Sequence, residues 1–208
     1  MKFILFVEGH TEQKAVPEFL KRWLDARLRQ PVGIKPVRFD GWPELVKDTK
    51  KRAQMYLSGP TAPGDVIAVI ALLDLYGPTF YPAGVTTAQQ RYAWAKKHLE
   101  DAVGLSKFRQ FFAVHETEAW LLSDPDVFPP AVKDGLPSKE PETVNFEVTP
   151  AKLLDKLYDQ NLKRGYKKVT NGKELFKKLD PGTAYEKCPH LKALLDEMLQ
   201  MAKDAGLG

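Results

Sequence analysis

The chain has 208 residues, 43% of them hydrophobic and 28% charged, with a formal net charge of +4 and a pI near 9.0. This ordinary globular balance permits a nucleic-acid partner without requiring one, and the length suits one large domain or a domain of ~150 residues with an appendage. The longest apolar run, Val66 to Leu73, is eight residues against the ~20 that a bilayer helix needs, and the single cysteine, Cys188, leaves no internal disulfide or cysteine-based zinc site.

The N-terminus carries one lysine and then an apolar run broken at Glu8, which lacks the plan of a signal peptide, so a cytoplasmic location without membrane association is expected. Residues 3 to 7, Phe-Ile-Leu-Phe-Val, have no polar face and read as a strand buried on both sides, as in a parallel sheet. Glu8 stands at its carboxyl end. Gly9 allows a tight turn, and Thr11 is expected to cap a helix beginning at Glu12. Ala15, Val16, Phe19, Leu20, Trp23, Leu24 and Leu28 recur at helical spacing to about Arg29, with Pro17 an obstacle in the second turn. Ile34 to Phe39 reads as a second strand, and Pro43 to Leu57 as a helix whose Lys47, Lys50, Lys51 and Arg52 are read as a solvated face in preference to a phosphate-binding patch.

Ser58 to Gly64 is a loop, after which Val66 to Leu73 forms a fully apolar strand ending at Asp74. Tyr76 to Gly84 is rich in turn residues, Thr87 to Val103 reads as a helix, and Phe108 to Val114 as a fourth strand leading into His115-Glu-Thr-Glu118 and a short helix over Ala119 to Leu122. The alternation of strands and helices predicts an α/β fold, a mostly parallel sheet of about four strands with helices on both faces. From Pro125 the composition changes. Pro129, Pro130, Pro137, Pro141 and Pro150 mark an extended connection, followed by helical patterns over Ala151 to Leu162, Gly172 to Leu179 and His190 to Ala205. The expected division is an α/β domain over 1–124 and a proline-rich connection with a helical C-terminal extension over 125–208.

Glu8, Glu12, Asp74, Glu116 and Glu118 are distant in sequence, yet each lies at or just beyond a predicted strand end. One such acid is ordinarily a cap or a surface charge; three strand ends bearing acids in one sheet point to a site. Hard cations such as Mg2+ or Mn2+ take oxygen ligands, with substrate phosphate and water completing the shell, and serve phosphodiester cleavage.

The stretch Phe6-Val-Glu-Gly-His-Thr-Glu12 resembles the first motif of Toprim domains, shared by topoisomerases, bacterial primases, recombination-mediator proteins and overcoming-lysogenization-defect nucleases. The chain is similar, more specifically, to a family of small bacterial Toprim-like proteins, through Val7 to Glu12, Leu73-Asp-Leu-Tyr-Gly-Pro78 with Phe80 and Pro82, and His115-Glu-Thr-Glu-Ala119 with Ser123-Asp124. Pro141-Glu142, Pro150, Tyr166-Lys167 and Cys188-Pro189 extend the likeness into the tail. The resemblance implies a Toprim-like, Rossmann-like sheet. It makes Glu8 a general acid or base or a metal ligand, and Asp74 a ligand and the first acid of an Asp-x-Asp motif. Tyr76 stands where that motif's second aspartate belongs, and Glu116 and Glu118 are candidates for the missing oxygens. If extended, these two point the same way; if a helix starts at Glu116, they diverge.

The expected catalytic acids are thus Glu8, Asp74 and Glu116, with Glu12 and Glu118 as further metal ligands. His10 and His115 flank acids and are read as structural or substrate-orienting; in the second role they would touch nucleic acid. Lys163, Arg164, Lys167 and Lys168 around Tyr166 suit contacts to a nucleic-acid backbone with one stacking ring, or equally a solvated helix end. Trp120, Leu121, Leu122 and Cys188 are read as core. The functional expectation is a Mg2+- or Mn2+-dependent nuclease acting on DNA or RNA. The resemblance further implies a bacterial defence effector beside an ATPase partner; ribosomal-RNA maturation is a second enzymatic reading. A non-catalytic nucleic-acid-binding or regulatory subunit is the alternative, and the sequence leaves the oligomeric state open.

Overall fold

Because Phe3 to Val7 offer no polar side chain, a strand built from them must be covered on both faces, and all five are fully buried in β1 (Lys2–Val7). In this computed structural model, which describes residues 1–59, 62–143 and 148–208, β1 pairs with β2 (Gly33–Arg38) and β3 (Val66–Asp74), and β3 with β4 (Phe108–Ala113). The sheet order is β2-β1-β3-β4 and every pairing is parallel, the expected α/β architecture. Pro60 and Thr61 of the predicted loop, and residues 144–147 of the proline-rich stretch, lie outside the described residues. Pro36 sits in β2, tolerated because this strand is at the sheet edge.

The period-two alternation of β1 sorts its side chains between two layers. Phe3, Leu5 and Val7 face α1 (His10–Asp25), packing with Phe19, Trp23 and Leu194. Ile4 and Phe6 join Leu45 and Ala53 of α2 (Trp42–Leu57) and Ala95 and Leu99 of α3 (Ala88–Val103) on the other face. The C-terminal chain continues through α4 (Glu118–Leu121), α5 (Pro130–Lys133), α6 (Pro150–Leu162), α7 (Lys173–Lys178), α8 (Pro181–Lys187) and α9 (Pro189–Ala202). These helices cover the α1 side. Phe19 of α1 lies 5.4 Å from Phe176 and 6.0 Å from Trp120, ring centre to ring centre. Arg22 donates to the Phe176 and Leu179 carbonyls at 2.7 and 2.9 Å, closing the end of α7. Trp120, Leu121, Leu122 and Cys188 are all buried, as expected.

Both ends of the first helix differ from expectation, and two short helices are new. The first helix begins at His10 with Gly9 as its cap, so Thr11 lies buried in the first turn and caps nothing. Gly9 is needed for space: a Cβ there would stand 2.3 Å from Glu12 Oε2. The helix runs through Pro17, forgoing one bond, and stops at Asp25 instead of Arg29. Its stop has a visible cause, since Asp25 Oδ1 accepts the Val32 N–H at 2.9 Å and turns the chain into β2. The proline-rich connection, expected to be extended, contains the short helix α5, and α8 is likewise new; Asp180 caps α8 by accepting the Thr183 N–H at 2.8 Å. Among the described residues no helix is long and apolar enough to cross a membrane.

Candidate functional site

The order β2-β1-β3 sends the chain outward from β1 through α1 and back across through α2, so the switch point of the sheet, where α/β folds form their ligand crevice, lies at the carboxyl ends of β1 and β3. Glu8 follows β1 and Asp74 ends β3, and the parallel register delivers both acids to that crevice. Glu8 Oε1 accepts the Asp74 backbone N–H at 2.9 Å, and the Trp42 N–H also donates to Glu8. Asp74 Oδ1 accepts the Thr117 N–H at 3.1 Å. The Thr117 hydroxyl lies 3.3 Å from Glu12 Oε1 and 3.4 Å from Glu118 Oε2; its single proton serves one of them at a time. Three strand ends are thereby joined by short polar links.

Glu116 precedes α4 and Glu118 opens it, yet both reach one cation. Lys168 Nζ is 3.3 Å from Glu118 Oε2 and 3.7 Å from Glu116 Oε1. The second oxygen of Glu116 accepts the Ala151 N–H at 2.9 Å, at the N-terminus of α6 where a carboxylate is favoured. Lys168 arrives on a single π turn, Lys168–Gly172, that leads into α7. Gly172 lets this turn dock closely: a Cβ would meet the Tyr166 hydroxyl oxygen at 3.0 Å and Thr11 Cγ2 at 3.2 Å.

Crowding sets the electrostatics. Burial moves the Glu8 carboxyl from 4.5 to about 7, with Glu12 adding to it and the Asp74 N–H opposing. Asp74 is held well above the usual carboxylate range by burial first, then by Glu12 and Glu8. Glu118, fully buried, rises to about 7 through burial, with Glu116 and Glu12 adding and Lys168 opposing. Its Oε1 has no hydrogen-bond partner among the described residues. Burial disfavours the Lys168 ammonium, but the carboxylates of Glu118, Asp74, Glu116 and Glu12 outweigh it and raise its pKa. The acids need positive charge, and one ammonium supplies part of it.

The structure thus brings together Glu8, Glu12, Asp74, Glu116, Glu118 and Lys168. His10 is exposed at the start of α1. His115 is buried, which lowers its pKa against the pull of Glu116, and its carbonyl accepts the Tyr76 N–H at 3.0 Å. Tyr76 places its ring 5.9 Å from Lys152 Nζ. Of the basic cluster, Lys163, Arg164 and Lys167 remain exposed, while Tyr166, expected as a stacking ring, is buried against Tyr158 at 5.4 Å. Sequence reasoning missed Thr117 and the inward turn of Lys168. A threonine between two acids was the only signal for the first; the second depends on how residues 168–172 dock on α1.

Among the described residues, no three His, Cys, Asp or Glu side chains are arranged to enclose a metal ion by themselves. The donor set nevertheless fits a hard cation: it is all carboxylate oxygen, one buried oxygen of it lacks a partner, and three of its members are raised by burial. Such an ion would be held by a few carboxylates, with water and substrate supplying the rest.

The C-terminal region of the Burkholderia pseudomallei OLD protein resembles this chain at 18% identity and a TM-score of 0.49, over 98% of this chain and 97% of that one. The C-terminal region of the Xanthomonas campestris pv. campestris OLD protein, phased with iodine, does so at 18% identity and a TM-score of 0.44, over 98% and 94%. No curated protein sequence matches the chain. One family match runs from residue 7 to residue 199, taking in the acid-bearing strand ends and the C-terminal helices: the chain belongs to the family described as Domain of unknown function (DUF4276).

Proposed function

We propose that the chain is a divalent-metal-dependent phosphodiesterase acting on DNA or RNA, with Mg2+ or Mn2+ held by Glu8, Asp74 and Glu118 and with Glu12 and Glu116 completing the acidic wall. The observation that carries this reading is the gathering of five carboxylates from three strand ends around one lysine, where burial holds the carboxyls of Glu8, Asp74 and Glu118 above their ordinary range. The likeness of Phe6 to Glu12, Leu73 to Pro78 and His115 to Ala119 to Toprim motifs points the same way.

When bound, a divalent ion supplies the Lewis acidity that polarises a phosphoryl oxygen and offsets the charge gathered there. The chain's own groups do the rest. Glu8 is fixed through Oε1 by the Asp74 N–H, and burial raises its carboxyl to about 7, so without an ion it takes up a proton near neutral pH that a bound cation would displace. Asp74 is oriented through Oδ1 by the Thr117 N–H. Lys168, already beside Glu118, offers an ammonium to the phosphate's charge.

A second reading, a non-catalytic nucleic-acid-binding or regulatory subunit, is favoured by one feature: Lys168 already supplies counter-charge to Glu116 and Glu118. Isothermal titration with Mg2+ and Mn2+ separates the two. The wild type should bind, and Glu8→Gln and Asp74→Asn should each bind weakly and lose cleavage of single- or double-stranded DNA or RNA. A protein that takes up neither ion ends the phosphodiesterase reading.

A further inference from the structure

Beside the acids lies a group of rings that the carboxylate chemistry does not use. Trp42 opens α2, Phe80 and Tyr81 sit in the irregular segment between β3 and α3, and Trp94 and His98 lie one turn apart on α3. Ring centres are 5.7 Å apart for Trp42 and Phe80, 5.9 Å for Phe80 and Trp94, and 4.6 Å for Trp94 and His98, the last pair only 13° from parallel. Four of these rings are half-buried and His98 is exposed, so together they form a surface ledge resting on the core layer below α2 and α3.

The ledge is continuous with the crevice. Trp42, whose indole begins the row, donates its backbone N–H to Glu8. Phe80 belongs to the segment that leaves β3 at Asp74, and a cleft of about 570 Å³ runs along that segment between Tyr76, Tyr81 and Arg91. Arg91 lines it, 4.9 Å from the Tyr81 ring centre, and exposed Lys152 lies 5.9 Å from the ring centre of Tyr76. Rings flanked by cations, next to a site for phosphate chemistry, match the alternation of flat bases and anionic phosphates in an unpaired strand. Base faces stack on aromatic side chains, and a duplex has no such faces free. The imidazole of His98 lies parallel on Trp94 and is itself exposed, so the row ends on a ring open to solvent.

We infer that Trp42, Phe80, Trp94 and His98 form a stacking subsite for unpaired nucleobases, and that the chain therefore takes single-stranded nucleic acid in preference to duplex. This rests on the nucleic-acid reading above and names its substrate class.

The test is fluorescence anisotropy in metal-free buffer with a labelled oligothymidylate of about 12 nucleotides, an abasic chain of the same length and a matching duplex. The wild type should bind the oligothymidylate at least about 10-fold more tightly than the abasic chain or the duplex. His98→Ala, at an exposed position, and Trp94→Leu should each weaken oligothymidylate binding by about 5- to 100-fold and leave abasic binding unchanged. Quenching of tryptophan emission by the oligonucleotide should be reduced in Trp42→Phe. Equal affinity for base-bearing and abasic chains, or wild-type affinity in both ledge variants, overturns the subsite. Mn2+ titration of the same proteins keeps the two ideas apart. Base preference without Mn2+ uptake upholds the ledge and removes the phosphodiesterase reading; Mn2+ uptake without base preference removes the ledge alone.

Discussion

Replacing Glu118 with glutamine removes a charge while keeping the shape. The side chain is fully buried, one of its oxygens has no hydrogen-bond partner among the described residues, and burial moves its carboxyl from 4.5 to about 7 in spite of Lys168. In the unfolded chain the group ionises near its ordinary value. Between the two values the folded protein holds the extra proton, so this carboxyl's contribution is fully present below the lower value and is lost as pH rises through the upper one. The span from 4.5 to about 7 corresponds to about 3 kcal/mol. Lys168 stays charged throughout and its attraction is already contained in the Glu118 value. Glutamine has no such ionisation. Glu118→Gln should therefore gain about 3 kcal/mol on the wild type between about pH 4.5 and pH 8, measured by urea unfolding with a chelator present. Saturating Mn2+ should shrink or reverse the gain, because an ion held by the folded wild type stabilises it by mass action. A difference between the two proteins that is flat with pH, or that falls toward pH 8, would refute the claim that burial of Glu118 dominates this site's electrostatics.

Gly9→Ala places a Cβ 2.3 Å from Glu12 Oε2, so the carboxylate must swing away. We expect divalent-ion affinity to fall about 10-fold in calorimetry while the melting temperature changes little, since the backbone at Gly9 is extended and suits any residue. Replacing exposed Lys163, Arg164 and Lys167 by glutamine tests the C-terminal basic cluster as a phosphate-contacting surface. Each charge that contacts phosphate should lower the slope of log K against log salt by about 1, and an unchanged slope in the triple variant assigns these residues to a solvated helix end.

The sheet was legible because its strands are written twice over in the sequence. Phe3 to Val7 and Val66 to Leu73 are apolar without interruption, which only a strand covered on both faces tolerates, and both are fully or almost fully buried. The acids at their ends were legible for the same reason: a charge that stops an apolar run marks the end of the strand. The short helix α8 and the true end of α1 were not, because each depends on a single cap or side-chain bond, Asp180 to Thr183 and Asp25 to Val32. Pro17 misled in the other direction, since tertiary packing of Val16, Phe19 and Leu20 outweighs one missing helix bond.

Local pattern alone therefore determined the α/β class, the buried strands and the candidacy of Glu8, Asp74, Glu116 and Glu118. Only the tertiary structure decided what surrounds them. Lys168 reaches Glu118 because Gly172 lets a π turn dock on α1, and Thr117 links Asp74, Glu12 and Glu118 because β4 delivers it there. The ledge of Trp42, Phe80, Trp94 and His98 likewise draws on three separate elements. Hydrophobic periodicity is a property of neighbours along the chain, so the sequence displays it. A pairing across 50 residues, such as Lys168 with Glu118, leaves no periodic trace and arises only when packing closes the distance.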